Sequence, residues 1–288
     1  MQSDATVPPV HVGATSDLIL TLAGDDAAFT AEGRALVRSV LAGTDPQWAH
    51  SLAQLHRHAA PHARLRKWTV WHFLSRLAEE EHITVQQLVV PGAGWSPLAV
   101  DWLATDPTAR AWELDLENID AKRALVQKNA RAIAPRWRNR RCDASDAAAV
   151  TAALAGAGWD SSQPTAWVLE GLLYYIAPAA AISLIREALG SHPDSRVIVE
   201  VGLPDDSIQQ AAGEECRAYH QAIALAIGRD HLYTHEPTAL AAACGARVEA
   251  IMDPATASRL RGDSPPAFVH PMESTQRVVL LARAISLA

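Results

Sequence analysis

The sequence contains a Gly-Ala-Gly turn at the point where a buried strand would meet a helix. The apolar residues 88–90 lead into Gly92, Ala93 and Gly94, and a helix-compatible segment follows. Glycines let the backbone turn sharply and leave room for a ligand, and the helix start presents unpaired N–H groups to that ligand. The dinucleotide-binding fingerprint needs a third glycine three positions after Gly94. Pro97 stands there, so the turn alone is also compatible with an ordinary strand–helix loop.

Acidic residues follow the ends of three further predicted strands. Asp115, with Glu113 beside it, comes about 20 residues after the turn, where nucleotide-binding folds place a carboxylate for the ribose hydroxyls. Asp143 follows the third strand, and it could equally cap the next helix. Glu170 directly follows the buried-strand pattern of residues 165–169, so we expect it to face a ligand cation or a charged partner.

These residues require a sheet that brings the strand ends together, and the hydrophobic pattern predicts one. From residue 86 onward, apolar strand patterns alternate with helical ones, which is typical of an α/β fold with a parallel sheet. The predicted strands are residues 87–91, 109–114, 138–142, 165–170 and 195–202, and the predicted helices are 96–104, 118–133, 145–156, 178–190 and 206–227. Residues 246–252 and 277–284 are two further apolar runs that we interpret as an antiparallel pair closing the sheet.

The segment before the sheet has a different pattern and predicts an N-terminal helical cap. About 80 residues show helical spacing with no strand signal. We therefore divide the chain into a cap or lid, residues 1–80, and a ligand-binding domain, residues 81–288.

Composition bounds the function. The chain has 288 residues, of which 49% are hydrophobic and 20% charged, so a large core is expected. The net charge of −7 argues against a nucleic-acid partner. No apolar run approaches the ~20 residues of a membrane helix, and the three cysteines form no CxxC pair, which favours a reducing, cytoplasmic setting. His56, His58 and His62 lack a completing carboxylate or cysteine, so no metal site is expected.

Taken as a set, these motifs resemble the class I S-adenosylmethionine (SAM) methyltransferases, and most closely their leucine carboxyl methyltransferase-like branch. The resemblance covers about residues 60–202 and includes Lys122 and the run Glu170-Gly171-Leu172-Leu173-Tyr174-Tyr175. It implies a Rossmann-like, mostly parallel seven-stranded sheet and SAM as cofactor. The implied cofactor-binding residues are Arg66 (with Arg64 as the alternative), Pro91, Gly92, Ala93, Gly94, Glu113, Asp115, Asp143, Ala144, Glu170 and Gly171.

Within this resemblance each position has a role. The glycine turn would lie alongside the methionine and ribose of the cofactor. Asp115 with Glu113 would hold the ribose hydroxyls, and Asp143 would contact the adenine amine. Glu170 would lie near the methionine ammonium, and the arginine would meet the methionine carboxylate.

One departure from the family affects the acceptor. The family usually continues its glycine turn with Asp-Thr and a later arginine, whereas this chain has Ser96-Pro97 and neither charge. Cofactor binding remains expected, but a peptide carboxylate as acceptor does not. The candidate catalytic residues are Tyr175, Tyr174 and Asn139. Of these, Tyr175 is the preferred aromatic, since a ring near the sulfonium can hold its charge by cation–π contact.

Three functions remain open from the sequence. The leading hypothesis is methyl transfer to a carboxylate or hydroxyl of a small metabolite. The second is cyclisation of SAM itself, in which its amine attacks its Cγ to give azetidine-2-carboxylate and methylthioadenosine. The third is a non-catalytic SAM-binding protein.

Overall fold

The computed structural model describes residues 14–79 and 85–284. Its seven strands are β1 Gln87–Pro91, β2 Arg110–Asp115, β3 Trp137–Arg141, β4 Thr165–Leu169, β5 Arg196–Gly202, β6 Ala246–Met252 and β7 Gln276–Arg283. They form one sheet in the spatial order β3-β2-β1-β4-β5-β7-β6. Strands β1 to β5 pair in parallel, and β7 is antiparallel to both of its neighbours. The predicted α/β fold, with its mostly parallel seven-stranded sheet and antiparallel closing pair, is confirmed.

Eleven α-helices surround this sheet within the described residues. Four precede it, namely α1 Ala14–Ala23, α2 Ala31–Leu41, α3 Gln47–Ala53 and α4 Ala59–Glu79. The others are α5 Leu98–Thr105, α6 Ile119–Asn129, α7 Ala147–Ala155, α8 Pro178–Gly190, α9 Gln210–Ala226, α10 Pro237–Cys244 and α11 Pro254–Arg261. Helix α11 occupies part of the proline-rich stretch between the last two strands.

The alternation of side chains along the strands builds a core on each face of the sheet. Leu88 and Val90 of β1 belong to the same buried cluster as Leu74 of α4, whereas Val89 packs in a second cluster with Leu184 of α8. Successive strand residues point to opposite faces, so a continuous apolar run requires burial on both sides. The four helices before the sheet thus share a core with one face of it. The division of the chain at residue 80 stays a prediction, and residues 1–13, 80–84 and 285–288 lie outside the described part.

A buried carboxylate ties these helices to the sheet domain. Asp101 of α5 is fully buried. It accepts hydrogen bonds from the backbone N–H of Phe29 at 3.1 Å and of Thr30 at 2.8 Å, and from the Thr30 hydroxyl at 2.6 Å. Thr30 Oγ1 in turn caps α2 by accepting from Gly33 N. Asp101 therefore holds the start of α2 against α5.

Replacing Asp101 by alanine is expected to destabilise the protein by roughly 1.5–3 kcal/mol, because hydrogen bonds to a buried charged group are lost. Urea unfolding measures the loss. Asp160→Ala is the matched control, since Asp160 is exposed and its carboxylate binds only Ser162. Equal effects of the two substitutions would contradict the anchoring role of Asp101.

Candidate active site

The carboxyl ends of the parallel strands open into a cavity of about 400 Å³. Its wall includes the turn after β1, Asp115 at the end of β2, Asp143 after β3, Glu170 after β4 and Glu200 of β5. Because β1 lies between β2 and β4, the chain reverses its direction across the sheet here. Ligands of open α/β sheets bind at such a switch point.

The glycine turn is shaped for this position and held to β2. Gly92 and Gly94 have φ of 66° and 47°, conformations that glycine adopts without strain. Gly92 N donates to Leu114 O at 2.8 Å, and Gly94 N donates to Asp115 Oδ2 at 2.6 Å. A Cβ on Gly94 would lie 2.7 Å from Ser16 Cβ, so α1 covers the turn closely. The turn thus lies between β2 and the helices before the sheet.

Lys122 supports the turn from below and changes the role predicted for Glu113. Its Nζ donates to Gly94 O at 2.9 Å and Ser96 O at 2.8 Å, and it forms an ion pair with Glu113 Oε2 at 2.7 Å. Glu113 is only 1% exposed and does not line the cavity. Glu113 lies two residues before the strand end, beneath the turn, so α6 covers it. The prediction that Glu113 helps to hold the ribose is corrected: it neutralises the lysine that holds the turn.

A charged cluster of four residues, Arg66, Lys67, Glu170 and Glu200, forms part of the cavity wall, and their side chains are at most 11% exposed. Arg66 Nε donates to Glu170 Oε1 at 2.8 Å, and Arg66 Nη1 lies 3.2 Å from Glu200 Oε2. Lys67 Nζ lies 2.9 Å from Glu170 Oε1 and donates to Ser96 Oγ at 3.0 Å. Burial acts to raise the pKa of Glu170, but Lys67 and Arg66 outweigh it and lower that pKa. Glu170 is therefore an ionised, paired carboxylate. Ser96 stands where the family carries an acid, so the carboxylate that pairs with the Lys67 ammonium is Glu170.

The two tyrosines after β4 both reach the cavity. The Tyr174 hydroxyl donates to Glu200 Oε1 at 3.4 Å. The ring centroids of Tyr174 and Tyr175 are 6.3 Å apart. Burial raises the pKa of both phenols, and for Tyr174 the Glu200 carboxylate adds to it. They are protonated at neutral pH and can donate hydrogen bonds or offer a ring face, but they are poor bases. The cation–π role of Tyr175 remains a prediction.

Besides Glu113, two residues of the predicted site are not brought to the cavity. Asn139 is 2% exposed, and its amide donates to Ile119 O at 2.7 Å and accepts from Arg123 Nε at 3.2 Å. It joins the outer strand β3 to α6, so the catalytic role predicted for Asn139 is corrected to a structural one. Pro91 ends β1 as a buried residue and, unlike its neighbours Val90 and Gly92, is not part of the cavity wall.

The remaining predicted residues line the cavity together. They are Arg66, Gly92, Ala93, Gly94, Asp115, Asp143, Ala144, Glu170, Gly171, Tyr174 and Tyr175. Asp143 Oδ1 accepts a hydrogen bond from Ser145 N at 2.9 Å, at the beginning of the turn that precedes α7. The cofactor contacts assigned to these residues remain predictions.

A second part of the cavity wall, which we call the acceptor end, is mostly apolar and carries histidines. His56 Nε2 lies 2.9 Å from His62 Nδ1, and His220 Nδ1 lies 3.2 Å from Asp205 Oδ1. The sequence indicates His56 and His62 only as candidate metal ligands, and no sequence motif marks His220. The acceptor end consists of Leu18, Ile19, His56, His62, Tyr219, His220, Ile223 and Leu232.

Among the described residues, no group of three or more His, Cys, Asp or Glu side chains is arranged to hold a metal ion. No helix in the same residues is long and apolar enough to cross a membrane.

The side chains of the cavity fit the parts of SAM. Asp115 offers a carboxylate at the position where ribose hydroxyls are bound in such folds, and the charged cluster offers both signs for an amino-acid zwitterion. The turn glycines, which have no side chain, line the same cavity. The donor set therefore matches SAM as a charged, hydroxyl-bearing molecule.

Replacing Asp115 by alanine is expected to weaken SAM binding by about 1.5–3 kcal/mol, as for lost hydrogen bonds to a charged group. Titration calorimetry measures the change. The matched control is Asp120→Ala, because Asp120 is an exposed acid on the neighbouring helix α6. Unchanged affinity in the Asp115 variant would move the ribose site elsewhere.

The chain is similar in sequence to known proteins of one family. Residues 23–189 match the family model described as leucine carboxyl methyltransferase. A proposed SAM-dependent methyltransferase of Mycolicibacterium smegmatis is 30% identical over 209 residues, 66% of this chain and 63% of that relative, so the match spans less than two thirds of the relative's length. A similarly named protein of Mycobacteroides abscessus is 46% identical over 63 residues, 21% of this chain and 20% of that protein.

Two solved structures share the fold. A proposed methyltransferase of Thermobifida fusca superposes with a TM-score of 0.65 at 16% identity, covering 98% of this chain and 97% of that one. A DUF574 family protein of Streptomyces avermitilis superposes with a TM-score of 0.64 at 15% identity, covering 90% and 99%. The family match covers more than half of the chain and includes the glycine turn, Asp115, Glu170 and both tyrosines. The chain belongs to the leucine carboxyl methyltransferase family, and SAM is its cofactor.

Proposed function

We propose that this protein transfers a methyl group from SAM to a carboxylate or hydroxyl oxygen of a small metabolite. The observation that carries the proposal is the composition of the cavity wall. The charged cluster and Asp115 offer groups that suit SAM, and the acceptor end adds a mostly apolar wall that SAM binding does not require. A volume of about 400 Å³ lies within the range of small-molecule sites, ~300–1,000 Å³.

Each part of the site has a task in this reaction. When bound, SAM supplies a methyl group made electrophilic by its sulfonium. Arg66 and Glu170 would hold the methionine carboxylate and ammonium, and Asp115 the ribose. The helices before the sheet cover the glycine turn and exclude water, so the protein's main contribution is alignment of the acceptor oxygen with the methyl carbon.

Methyl transfer is favoured over SAM cyclisation because of the acceptor end. Cyclisation needs no second molecule, so it gives no reason for an apolar, histidine-bearing wall beyond the charged cluster. The acceptor itself is a small molecule in this proposal, since the acid and the arginine that the family carries after its glycine turn, and that are associated with a peptide carboxylate, are missing from residues 95–101.

The test is to incubate the protein with SAM, alone and with a panel of small carboxylic acids, phenols and alcohols, and to identify the products by mass spectrometry. S-adenosylhomocysteine that forms only with an acceptor supports methyl transfer. Methylthioadenosine from SAM alone would indicate cyclisation instead. SAM binding without any turnover would indicate a non-catalytic binding protein.

A further inference from the structure

We infer that His220 is the general base of this site, oriented by Asp205, and that the methyl acceptor is therefore a hydroxyl compound, a phenol or an alcohol. The inference rests on the proposed methyl transfer and narrows it, because a hydroxyl must lose its proton to become a good nucleophile. A carboxylate is already ionised at neutral pH and needs no base.

The geometry of the His220–Asp205 pair is that of an oriented imidazole. His220 lies on α9 in the cavity wall, and its Nδ1 is 3.2 Å from Asp205 Oδ1, with both side chains 18% exposed. An imidazole that donates its Nδ1–H to a carboxylate carries its free lone pair on Nε2, on the far side of the ring. The carboxylate then stabilises the imidazolium that forms when Nε2 accepts a proton.

The local fold brings the pair together although Asp205 and His220 are 15 residues apart. After β5 the chain makes a short 3-10 turn, Asp205–Ser207, and then enters α9. A Cβ on Gly213 would lie 2.3 Å from Asp205 O, so the turn packs directly on the helix at a residue that must be glycine. Gly213 and His220 are seven residues apart and share one face of α9. The Asp205 carboxylate therefore reaches the ring from the turn that crosses that face.

Other ionisable groups of the cavity are poorer bases. Glu170 is paired with Arg66 and Lys67, and the pKa of its carboxyl is lowered. Glu200 accepts from Gly171 N at 2.8 Å and from Gln276 Nε2 at 2.7 Å, besides its ion pair with Arg66. Neither carboxylate is free to take a proton from a substrate.

The tyrosines and the second histidine pair are also unsuited. Burial raises the pKa of Tyr219 beyond its ordinary value, as it does for Tyr174 and Tyr175, so all three remain protonated. Burial lowers the pKa of His56 to about 4 and that of His62 well below its ordinary value. A histidine with a lowered pKa is a weaker base, which leaves the His220–Asp205 pair.

The position of His220 suits an acceptor next to the charged cluster. Its ring centroid lies 6.1 Å from that of Tyr174, whose hydroxyl contacts Glu200. It also lies 6.1 Å from the ring of Tyr219, and Ile223 and Leu232 line the same wall. This wall fits an aromatic or aliphatic body. Arg229 lines it too, so a carboxylate acceptor is the competing outcome that the test must include.

The proposed step balances with these residues alone. His220 Nε2 takes the proton of the acceptor hydroxyl, while the acceptor oxygen forms a bond to the methyl carbon. The electron pair of the breaking S–C bond stays on sulfur. The products are a methyl ether, S-adenosylhomocysteine and a protonated His220, which releases its proton to solvent.

The test compares the wild type with His220→Gln and Asp205→Asn, using benzyl alcohol, phenol, 4-nitrophenol and benzoate as acceptors at pH 8. We expect the wild type to methylate hydroxyl probes, and His220→Gln to lose about 10²- to 10⁴-fold on phenol, the usual contribution of a general base. The loss on 4-nitrophenol should be much smaller, because that phenol is already largely ionised. Asp205→Asn should show the same pattern with a smaller loss.

A matched control and a second readout separate a base from a structural residue. His192→Gln removes a histidine that pairs with Asp194 at 4.0 Å outside the cavity, and it should leave every rate unchanged. Nitrogen-15 NMR of the imidazole rings should show His220 with its proton on Nδ1, and Asp205→Asn should remove that preference. SAM affinity, measured by calorimetry, should be unchanged in His220→Gln.

Several results would overturn the inference while leaving methyl transfer intact. These are methylation of benzoate without any hydroxyl probe, and equal losses on phenol and 4-nitrophenol. A His220 proton on Nε2 would do the same. Failure of the proposed function has a different signature, since the wild type would then form methylthioadenosine from SAM alone, bind SAM without methylating any probe, or fail to bind SAM.

Discussion

Replacing Lys122 by methionine is expected to lower the free energy of unfolding by about 3–5 kcal/mol, the cost of removing one partner of a buried ion pair. The side chains of Lys122 and Glu113 are 3% and 2% exposed, so the carboxylate would stay in the interior without its counterion. Burial already raises the pKa of Glu113 despite the opposing effect of Lys122, and without Lys122 that pKa rises further. A carboxyl with a raised pKa in the folded state favours folding at low pH and loses that benefit as the pH increases. The variant should therefore be less stable at pH 8 than at pH 5, as measured by urea unfolding.

The double variant Lys122→Met/Glu113→Leu separates stability from function. Replacing both buried charges by apolar side chains is often neutral or stabilising, so we expect the unfolding free energy to return close to the wild-type value. SAM affinity should be lower than in the wild type in both the single and the double variant, because Gly94 O and Ser96 O have lost the ammonium that holds them. Full recovery of affinity in the double variant would contradict the role of Lys122 in shaping the turn.

The fold could be predicted from the sequence because its signals are local. Runs such as residues 165–169 and 196–202 are mostly apolar, and in a parallel sheet covered on both faces such runs are buried strands. The polar residues directly after them then fall at one edge of the sheet, which is why Asp115, Asp143 and Glu170 reach one cavity. Strand ends differ from the prediction by one residue or so, because pairing with neighbours determines where a strand stops.

The site was predicted less completely because its pairings are tertiary. Glu113 and Asp115 look equivalent in sequence, and only the ion pair of Glu113 with Lys122 shows which acid lies under the turn. Glu200 could have been found by the argument used for Glu170, since it is an acid within a buried strand. The His220–Asp205 pair had no sequence signal, because it depends on how the turn after β5 packs on α9.

Replacing Arg66 by leucine is expected to weaken SAM binding by about 2–5 kcal/mol, the range for truncating one partner of a buried, hydrogen-bonded charge pair at an interface. Burial acts to lower the pKa of Arg66, but Glu200 and Glu170 outweigh it and raise that pKa, so the guanidinium is a permanent charge. Without it, Glu170 retains Lys67, whereas Glu200 loses its ion pair and repels an incoming carboxylate. Stability should fall as well, so affinity must be measured by calorimetry well below the unfolding temperature.

Two further variants test whether the loss of SAM affinity is specific to Arg66 and whether it depends on the planar guanidinium. Arg64→Leu is the matched control on the same helix, because Arg64 is the other arginine compatible with the sequence. Its side chain is 38% exposed, lies 3.8 Å from Asp26 and is not part of the cavity wall, so we expect little change in SAM affinity. Arg66→Lys keeps the charge but loses the planar fork that reaches Glu170 and Glu200 together, so it should bind SAM with intermediate affinity. Loss of affinity in the Arg64 variant with wild-type affinity in Arg66→Leu would reverse the assignment and would place the methionine carboxylate outside the charged cluster.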